Sequence, residues 1–228
     1  MNWFYNLKIA AKLQVSFGLL AAIAGLIGWM GIMGVREVAD RSSGMYLNQL
    51  MPIHDLSYAN AAVLNARTDV RNMLLARDRS KRNSFVETIN AETAQADEYL
   101  AKFRKLDLDK DERELFTNFE TSYGKYLSFR ARVIDLSLAG KDDDALELAN
   151  GEARSALSAA RKNLDALIGL KTEHAKAANN ENDVTAQSAR TKVLAYLGFG
   201  ILPSFGLGLL LSRAIGRPLS MMHTAAEK

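Results

Sequence analysis

Two long uncharged runs, Leu13–Val35 and Val193–Leu211, constrain the fold of this chain more than any other feature. They contain 23 and 19 residues. As α-helices they would reach roughly 35 and 28 Å, which is sufficient for a hydrocarbon core of about 30 Å. The sequence therefore predicts two transmembrane helices that flank a region of 157 residues, 36–192.

A cleaved signal peptide is the alternative interpretation of the first run. Lys8 and Lys12 form a short basic segment ahead of it, and Ala22–Ala24 resembles a cleavage site. The apolar stretch nevertheless continues for eleven more residues, up to Val35, without a charge. A retained span is therefore the prediction, with residues 1–12 as its leader.

The charges near the two spans favour a cytoplasmic location for both chain ends. The region 36–192 is too long for its charges to orient the spans. The short ends carry an excess of basic residues, namely Lys8, Lys12, Arg213 and Arg217. The leader 1–12 is thus predicted to be cytoplasmic and 36–192 to lie outside. Pro203, in the middle of the second span, removes one backbone hydrogen bond and predicts a kink.

Composition and motifs argue against several classes of function. The net charge is +3 without a basic block, so nucleic-acid binding is not predicted. The chain has no cysteine. Its histidines, His54, His174 and His223, lie on separate segments, so neither a disulfide nor a metal site is predicted. No catalytic motif or cofactor motif was found, and the chain is predicted not to be an enzyme.

The region between the spans has helical periodicity in four segments. The first continues from the span to about Arg77, and the second starts near Ser80 as an N-cap. The third follows Asp109 as an N-cap, and the fourth starts around Asp142 and runs into the second span. The third segment repeats regularly at Leu115, Phe119, Ser122, Tyr126, Phe129, Val133 and Leu136. This spacing predicts an all-α, antiparallel up-down four-helix bundle, with its first and fourth helices continuous with the spans.

Helix lengths suggest that the chain pairs with a second copy. The first and fourth helices outside the membrane would be about 63 and 72 Å long, whereas the second and third have only about 27 and 30 residues. Two long helices must then extend towards the membrane as a pair, which buries little surface. A second protomer would complete a four-helix stalk, so a homodimer in contact with membrane lipid is predicted.

Arg67 and Arg71 are the candidate ligand-binding residues. Arg67 occupies the same helical lane as Val63, Val70 and Leu74, where an apolar residue is expected, and Arg71 lies one turn on. Two guanidinium groups on one face could hold a carboxylate by charge-assisted hydrogen bonds. Two alternatives remain open. The arginines could edge a solvated groove, or they could pair with an acid such as Glu92.

Three stretches in order resemble the N-terminal part of a bacterial methyl-accepting chemotaxis receptor. NLKIAAKLQVSFGLLAAIAGLIGWMGIMGVREV is similar to the leader and first span of that family, and LMPIHDLSYANAAVLNARTDVRNMLLARD resembles its first extracytoplasmic helix. LSRAIGRPLSMMHTAAEK resembles the start of a HAMP domain, 212–228, in which the proline follows a basic residue, here Pro218 after Arg217.

This resemblance implies a periplasmic sensor domain in the bacterial inner membrane and a homodimer whose ligand shifts the last helix and second span. Arg67 lies where the first ligand-holding arginine of the aspartate-receptor-like members would be. Signal relay would pass through Pro203, Arg217 and Pro218. The ligand is expected to be a small molecule, such as a carboxylate, or a periplasmic binding protein.

Two other functions fit the same sequence. The module could be the sensor half of a histidine kinase or a cyclase, because these proteins use the same input domain. It could also be a ligand-free adaptor that pairs with another membrane protein through its bundle. The rest of HAMP, the methylation helices and the kinase-contacting tip are absent from the 228 residues. The chain is therefore expected to be either a truncated form or a short protein that cannot signal through a kinase by itself.

Overall fold

The computed structural model describes the backbone of residues 8–226 and the side chains of 8–209 and 211–213. Within that part the chain is helical and contains no strand, which confirms the predicted all-α class. The helices are α1 (Ile9–Met45), α2 (Met51–Leu75), α3 (Arg79–Arg104), α4 (Lys110–Leu138), α5 (Asp142–Asn150) and α6 (Glu152–Ala226), with a π-helical turn, Tyr46–Leu50, joining α1 to α2. Residues 1–7 of the predicted leader lie outside the described residues, as do residues 227–228 and the side chains of Arg217 and Pro218.

The chain divides into two compact units, of which Ser43–Asn179 is the helical bundle. Its core is formed by side chains from α2 to α6, including Leu56, Met73, Ile89, Phe103, Phe119, Val133, Ala145, Leu164 and Leu167. Aromatic rings from α3 and α4 form a continuous row with centroid separations of 5.0 to 6.3 Å, through Phe103, Phe116, Phe119, Tyr123 and Tyr126. Each such side chain stabilises the fold by roughly 1.5–3 kcal/mol on burial.

Side-chain caps fix where α3 and α4 begin. The predicted cap at Asp109 is confirmed: its carboxylate accepts from the Glu112 amide at 2.9 Å, and the Glu112 carboxylate accepts from the Asp109 amide at 3.3 Å. The predicted cap at Ser80 is wrong by two residues. Asp78 caps α3, and its carboxylate accepts from the Ser80 amide at 2.8 Å. Aspartate and serine are comparable N-caps, but the positive end of the helix dipole favours the charge of Asp78.

The end of the bundle formed by the turns 76–78 and 139–141, here called the outer end, is held by one arginine. Arg82 donates from Nε to the Ala76 carbonyl at 2.8 Å, and from Nη1 to the Ser137 carbonyl. It also forms a bidentate pair with Asp142, at 2.7 and 2.9 Å. Gly140 has a φ of +77° in the adjoining turn, a conformation that glycine adopts without a Cβ clash. A single guanidinium therefore joins the ends of α2 and α4 to the start of α5.

The predicted fourth helix starts at Asp142, as expected, but it is not continuous. It breaks at Gly151, where φ is −90° and ψ is −105°, and α6 restarts at Glu152. The local geometry is tight, because a Cβ at Gly151 would lie 3.1 Å from the Glu147 carbonyl oxygen. Periodicity alone did not predict this break, since the apolar positions on both sides of it keep their spacing.

The other unit contains both apolar runs, and each lies in a helix long and apolar enough to cross a membrane. Their large apolar side chains are mostly exposed, including Leu26, Trp29, Phe199, Leu202 and Phe205. A core helix of a water-soluble protein would bury such side chains. The two runs approach closely at Gly200, where an added Cβ would lie 3.0 Å from Ile27 Cδ1. The helix α6 continues through Pro203.

Candidate ligand-binding site

A cleft of about 450 Å³ lies in the bundle near the break between α5 and α6. We call it the arginine cleft, because guanidinium groups from three helices line it, those of Arg67, Arg71, Arg130 and Arg154. None of the described residues that line the cleft is acidic. Aliphatic side chains form much of the remaining wall, including Val70, Leu74, Val133, Leu146 and Leu157. This combination of positive charge and apolar wall suits an organic anion.

Both arginines singled out from the sequence line this cleft. Arg67 is half-buried and Arg71 is exposed, one turn further along α2. The predicted alternative of pairing with Glu92 is not found, because Glu92 accepts from the Asn65 side chain at 3.4 and 3.5 Å instead. Among the described residues neither arginine has an ion-pair partner. Their guanidinium groups are therefore available to a bound anion.

Arg130 and Tyr126, which the sequence analysis did not single out as site residues, come to the cleft from α4. Arg130 is only 7% exposed, and its Nη1 atom has no hydrogen-bond partner within the described structure. The guanidinium carbon lies 5.6 Å from the centre of the Tyr126 ring, a distance at which a cation is attracted to the ring face. The sequence did contain one indication that Arg130 faces the same side as Tyr126. Arg130 lies four residues after Tyr126, in a segment whose apolar residues recur at helical spacing.

A second cavity of about 480 Å³ adjoins the cleft, and Arg67, Arg154 and Leu157 line both. The second cavity adds Arg161 and Lys162, with Asp165 as its acidic member. The Nε atom of Arg161 is buried and has no hydrogen-bond partner among the described residues. Positive charge thus extends along α6 from the arginine cleft towards the following turns.

Burial and the arginine charges act on the tyrosines of α4 in opposite directions. Burial raises the pKa of Tyr123 to about 12, with a further contribution from the nearby charge of Asp97. Burial also raises the pKa of Tyr126, while the charges of Arg130 and Arg67 act to lower it. Both phenols therefore remain neutral at physiological pH, and a neutral Tyr126 can act as a hydrogen-bond donor in the cleft.

A separate charged cluster occupies the inner end of the bundle, beside the turn 105–109. Glu112 is 2% exposed and Lys171 is 3% exposed, and Glu112 Oε1 lies 2.9 Å from Lys171 Nζ. His174 Nδ1 lies 2.9 Å from the same oxygen and 3.7 Å from Asp109 Oδ2. Lys171 also donates to the carbonyl of Asn48, within the π-helical turn, at 3.2 Å.

The spacing of histidines in the sequence gave no indication of this cluster, because its members come from different helices. Asp109, Glu112 and His174 are close enough to hold a metal ion. Glu112 Oε1 is nevertheless shared by Lys171 and His174, and its other oxygen accepts from the Asp109 amide. The donor set is therefore engaged in an ion-pair and capping network.

The predicted relay residues lie apart from the arginine cleft along the chain. Pro203 is exposed within the part of α6 that carries the second apolar run. Arg217 and Pro218 belong to the last part of α6, where side chains lie outside the described residues. The role proposed for these three positions in signal relay therefore stays a prediction.

Comparisons with known proteins agree with this architecture. The sequence pattern of a family described as a four helix bundle sensory module for signal transduction matches residues 6–186. A protein of Acetivibrio thermocellus named "Putative sensory transducer protein" is 24% identical over 155 residues. That alignment covers 68% of this chain and 28% of the relative, so the chain spans less than a third of the relative's length. No solved structure matches the chain significantly.

Proposed function

Since this chain belongs to the family of four-helix-bundle sensory modules for signal transduction, we propose that it is the input module of a transmembrane chemoreceptor. The module binds a small anionic ligand outside the cytoplasmic membrane and passes a helix shift to a cytoplasmic signalling region. The observation that carries this proposal is the arginine cleft, in which four guanidinium groups face no carboxylate among the described lining residues.

The proposed topology has 13–35 and 193–211 as spans of a bacterial inner membrane and 36–192 as a periplasmic sensor domain. The exposed apolar side chains of both runs support it, because water would not solvate them favourably. The basic residues Lys8, Lys12 and Arg213 support cytoplasmic chain ends, with 1–12 as the leader.

The proposed relay begins where the ligand meets α6. Arg154 lies in the first turn of this helix, and the same helix continues through Pro203 to Ala226. A ligand that draws Arg154 towards α2 or α4 therefore acts on the helix that carries the second span. The output is received by 212–228 as the start of a HAMP domain, with Arg217 and Pro218 in its second turn. A difference in ligand affinity of about 1–3 kcal/mol between two helix arrangements is enough to bias the output.

Homodimerisation belongs to this proposal as well. Several large apolar side chains of the first bundle helix and the π-helical turn are exposed, among them Leu47, Leu50, Tyr58 and Leu75. Their spacing along the chain approximates a helical stripe, which a second copy would cover. Disulfide cross-linking of a Leu50→Cys variant in membranes tests this. The chain has no native cysteine, so any cross-linked dimer must arise from the introduced residue.

The proposed function can be tested with a chimera in which residues 1–228 precede the cytoplasmic part of a characterised chemoreceptor. Addition of an activating organic anion should change kinase activity, and Arg67→Ala should weaken the response by at least tenfold in ligand concentration. Arg79→Ala, which removes an exposed arginine outside the cleft, is the matched control and should respond normally.

Two results would contradict the proposal. A chimera that signals normally with Arg67 and Arg71 both replaced would show that the cleft is not the sensory site. A chimera that never responds to small molecules, but that associates with another membrane protein irrespective of Arg67, would favour the adaptor function. A response that requires an added periplasmic binding protein would retain the sensor function and change the ligand.

A further inference from the structure

The environment of Arg130 is unusual for a buried charge. The residue is only 7% exposed, and its Nη1 atom is buried and has no hydrogen-bond partner among the described residues. The guanidinium carbon lies 5.6 Å from the centre of the Tyr126 ring, which is a favourable cation–π contact. A buried charge with no opposite charge beside it is unfavourable by several kcal/mol in general, so proteins keep one mainly where something else neutralises it.

Nothing in the cleft supplies that neutralisation. The other charged side chains lining it are Arg67, Arg71 and Arg154, which add positive charge. Asp165 lines the adjoining cavity and not the cleft itself. A single negative charge placed in the cleft would leave most of this positive charge unbalanced, whereas two or three negative charges would balance most of it.

The wall of the cleft adds a second constraint on the ligand. Val70, Leu74, Val133 and Leu157 line it together with the four arginines. Inorganic phosphate or sulfate would satisfy guanidinium groups but would leave this aliphatic surface wet. An organic ligand with acidic groups at its ends and a hydrocarbon segment between them would use both kinds of surface.

We infer that the arginine cleft binds an organic anion with at least two carboxylate-type groups, anchored by the buried Arg130 and by the exposed Arg154. This inference rests on the proposed function, because it names the ligand class of the same cleft. The ligand lies inside one bundle, between α2, α4 and α6. One acidic group of the ligand accepts a hydrogen bond from Arg130 Nη1, which otherwise lacks a partner. The hydrocarbon segment of the ligand lies on the aliphatic wall.

This placement also connects binding to the break at Gly151. Leu146 and Ala149 line the cleft from α5, and Ala153 and Arg154 line it from α6, on the other side of the break. A ligand held by Arg130 on α4 and by Arg154 on α6 therefore bridges α4 and the first turn of the helix that restarts after Gly151. Ligand binding in the arginine cleft therefore sets the position of the first turn of α6.

The experiment uses the full chain in lipid nanodiscs, with adipate and citrate as polyanionic probes. Hexanoate has the carbon count of adipate but one carboxylate, and inorganic phosphate has no hydrocarbon segment. Calorimetric titration should give at least tenfold tighter binding of adipate or citrate than of either control. The tighter probe should also raise the melting temperature of the bundle by roughly 3 °C or more at saturation.

The Arg130→Met variant separates a ligand anchor from a structural residue. The variant should lose at least about 30-fold in affinity for the polyanion. Its melting temperature without ligand should be equal to or higher than that of the parent, because the uncompensated charge has been removed. Arg132→Met, an exposed arginine on the same helix, is the matched control and should bind normally. Arg130→Lys keeps the charge without the planar pair of donors and should bind with intermediate affinity.

Four results would overturn the inference. Equal binding of adipate and hexanoate would exclude the requirement for two acidic groups. Unchanged affinity in Arg130→Met would exclude the anchor, as would a large loss of stability in that variant with binding retained. Absence of binding by both polyanions would exclude the ligand class. The proposed function survives each of these results if the chimera still responds to a ligand through Arg67.

Discussion

The inner end of the bundle and the arginine cleft both contain buried charge, but only the inner end pairs it. Glu112 and Lys171 are almost fully buried, lie 2.9 Å apart and each have further partners. Arg130 is buried to a similar degree, and one of its terminal nitrogens has no hydrogen-bond partner in the described structure. The two regions differ in whether side chains of opposite charge lie beside the buried charge.

This difference separates charges that stabilise the fold from the charges that we propose bind a ligand. In the inner network, removal of one member leaves the other charge buried and unpaired, so stability must fall. In the cleft, removal of one arginine relieves repulsion among like charges, so stability should rise or stay the same. The sign of the stability change therefore distinguishes the two regions.

The largest effect is expected for Glu112→Gln at the inner end. The substitution keeps the size of the side chain but leaves the Lys171 ammonium buried without a carboxylate, so the free energy of unfolding should fall by about 3–5 kcal/mol. Denaturant unfolding of the full chain measures this. Glu114→Gln, at an exposed position of the same helix, should change stability by less than about 0.5 kcal/mol. A loss for Glu112→Gln no larger than that of the control would remove the contrast with Arg130.

A smaller effect is expected for Arg82→Met at the outer end. Arg82 donates to the carbonyls of Ala76 and Ser137 and pairs with Asp142. The substitution leaves two helix-end carbonyls without this donor and should lower the free energy of unfolding by about 2 kcal/mol. The comparison with Arg130→Met is direct, because both are buried arginines. If both substitutions stabilised the fold, then burial of the arginine alone, irrespective of its partners, would decide the sign of the change in the free energy of unfolding.

Replacement of Asp109 measures how much of the inner network is helix capping. Asp109→Ala removes the acceptor for the Glu112 amide and should lower the free energy of unfolding by about 1 kcal/mol. Asp109→Asn retains that acceptor while removing the charge near His174, and should lower it by only a few tenths of a kcal/mol. Equal losses in thermal unfolding would assign the effect to the charge instead of the cap.

The smallest effect concerns acid pH at the outer end. Hydrogen bonding from Arg82 lowers the pKa of Asp142 below its ordinary value in the folded protein. The pair therefore stabilises the fold fully above the unfolded pKa of about 3.9, and this contribution is lost as pH falls through the lower folded pKa. Unfolding curves between pH 7 and pH 2.5 should show a shallower acid loss for Asp142→Asn than for the parent. Identical pH profiles would contradict this.

The sequence predicted the fold well because helical periodicity is a local signal. The apolar positions of α4, from Leu115 to Leu136, identified the helix and its buried face, and Asp109 identified its start. The break at Gly151 was missed, since glycine within a helical pattern is tolerated as often as it ends one. The π-helical turn Tyr46–Leu50 was missed because its spacing departs from α-helical spacing over only one turn.

The site was predicted in part for a related reason. Arg67 was predicted as a site residue because it occupies a helical position where an apolar residue is expected. The structure places it in the cleft. Arg130 and Arg154 are separated from it by 63 and 87 residues of sequence. The convergence of three helices on one cavity depends on the register of the packed bundle, which periodicity does not specify. The same reason explains why Glu112 and Lys171 could not be paired from the sequence.

The guanidinium of Arg82 also affects how much sequence variation the two turns at the outer end can tolerate. Because one side chain reaches the last carbonyls of two helices and the first turn of a third, the connecting segments 76–78 and 139–141 need not hold the helices together by themselves. Sequence drift and short insertions in these two segments should then be tolerated as long as Arg82 and its carboxylate partner persist. A library of altered turns screened for folding would accept many sequences in the presence of Arg82 and few in its absence.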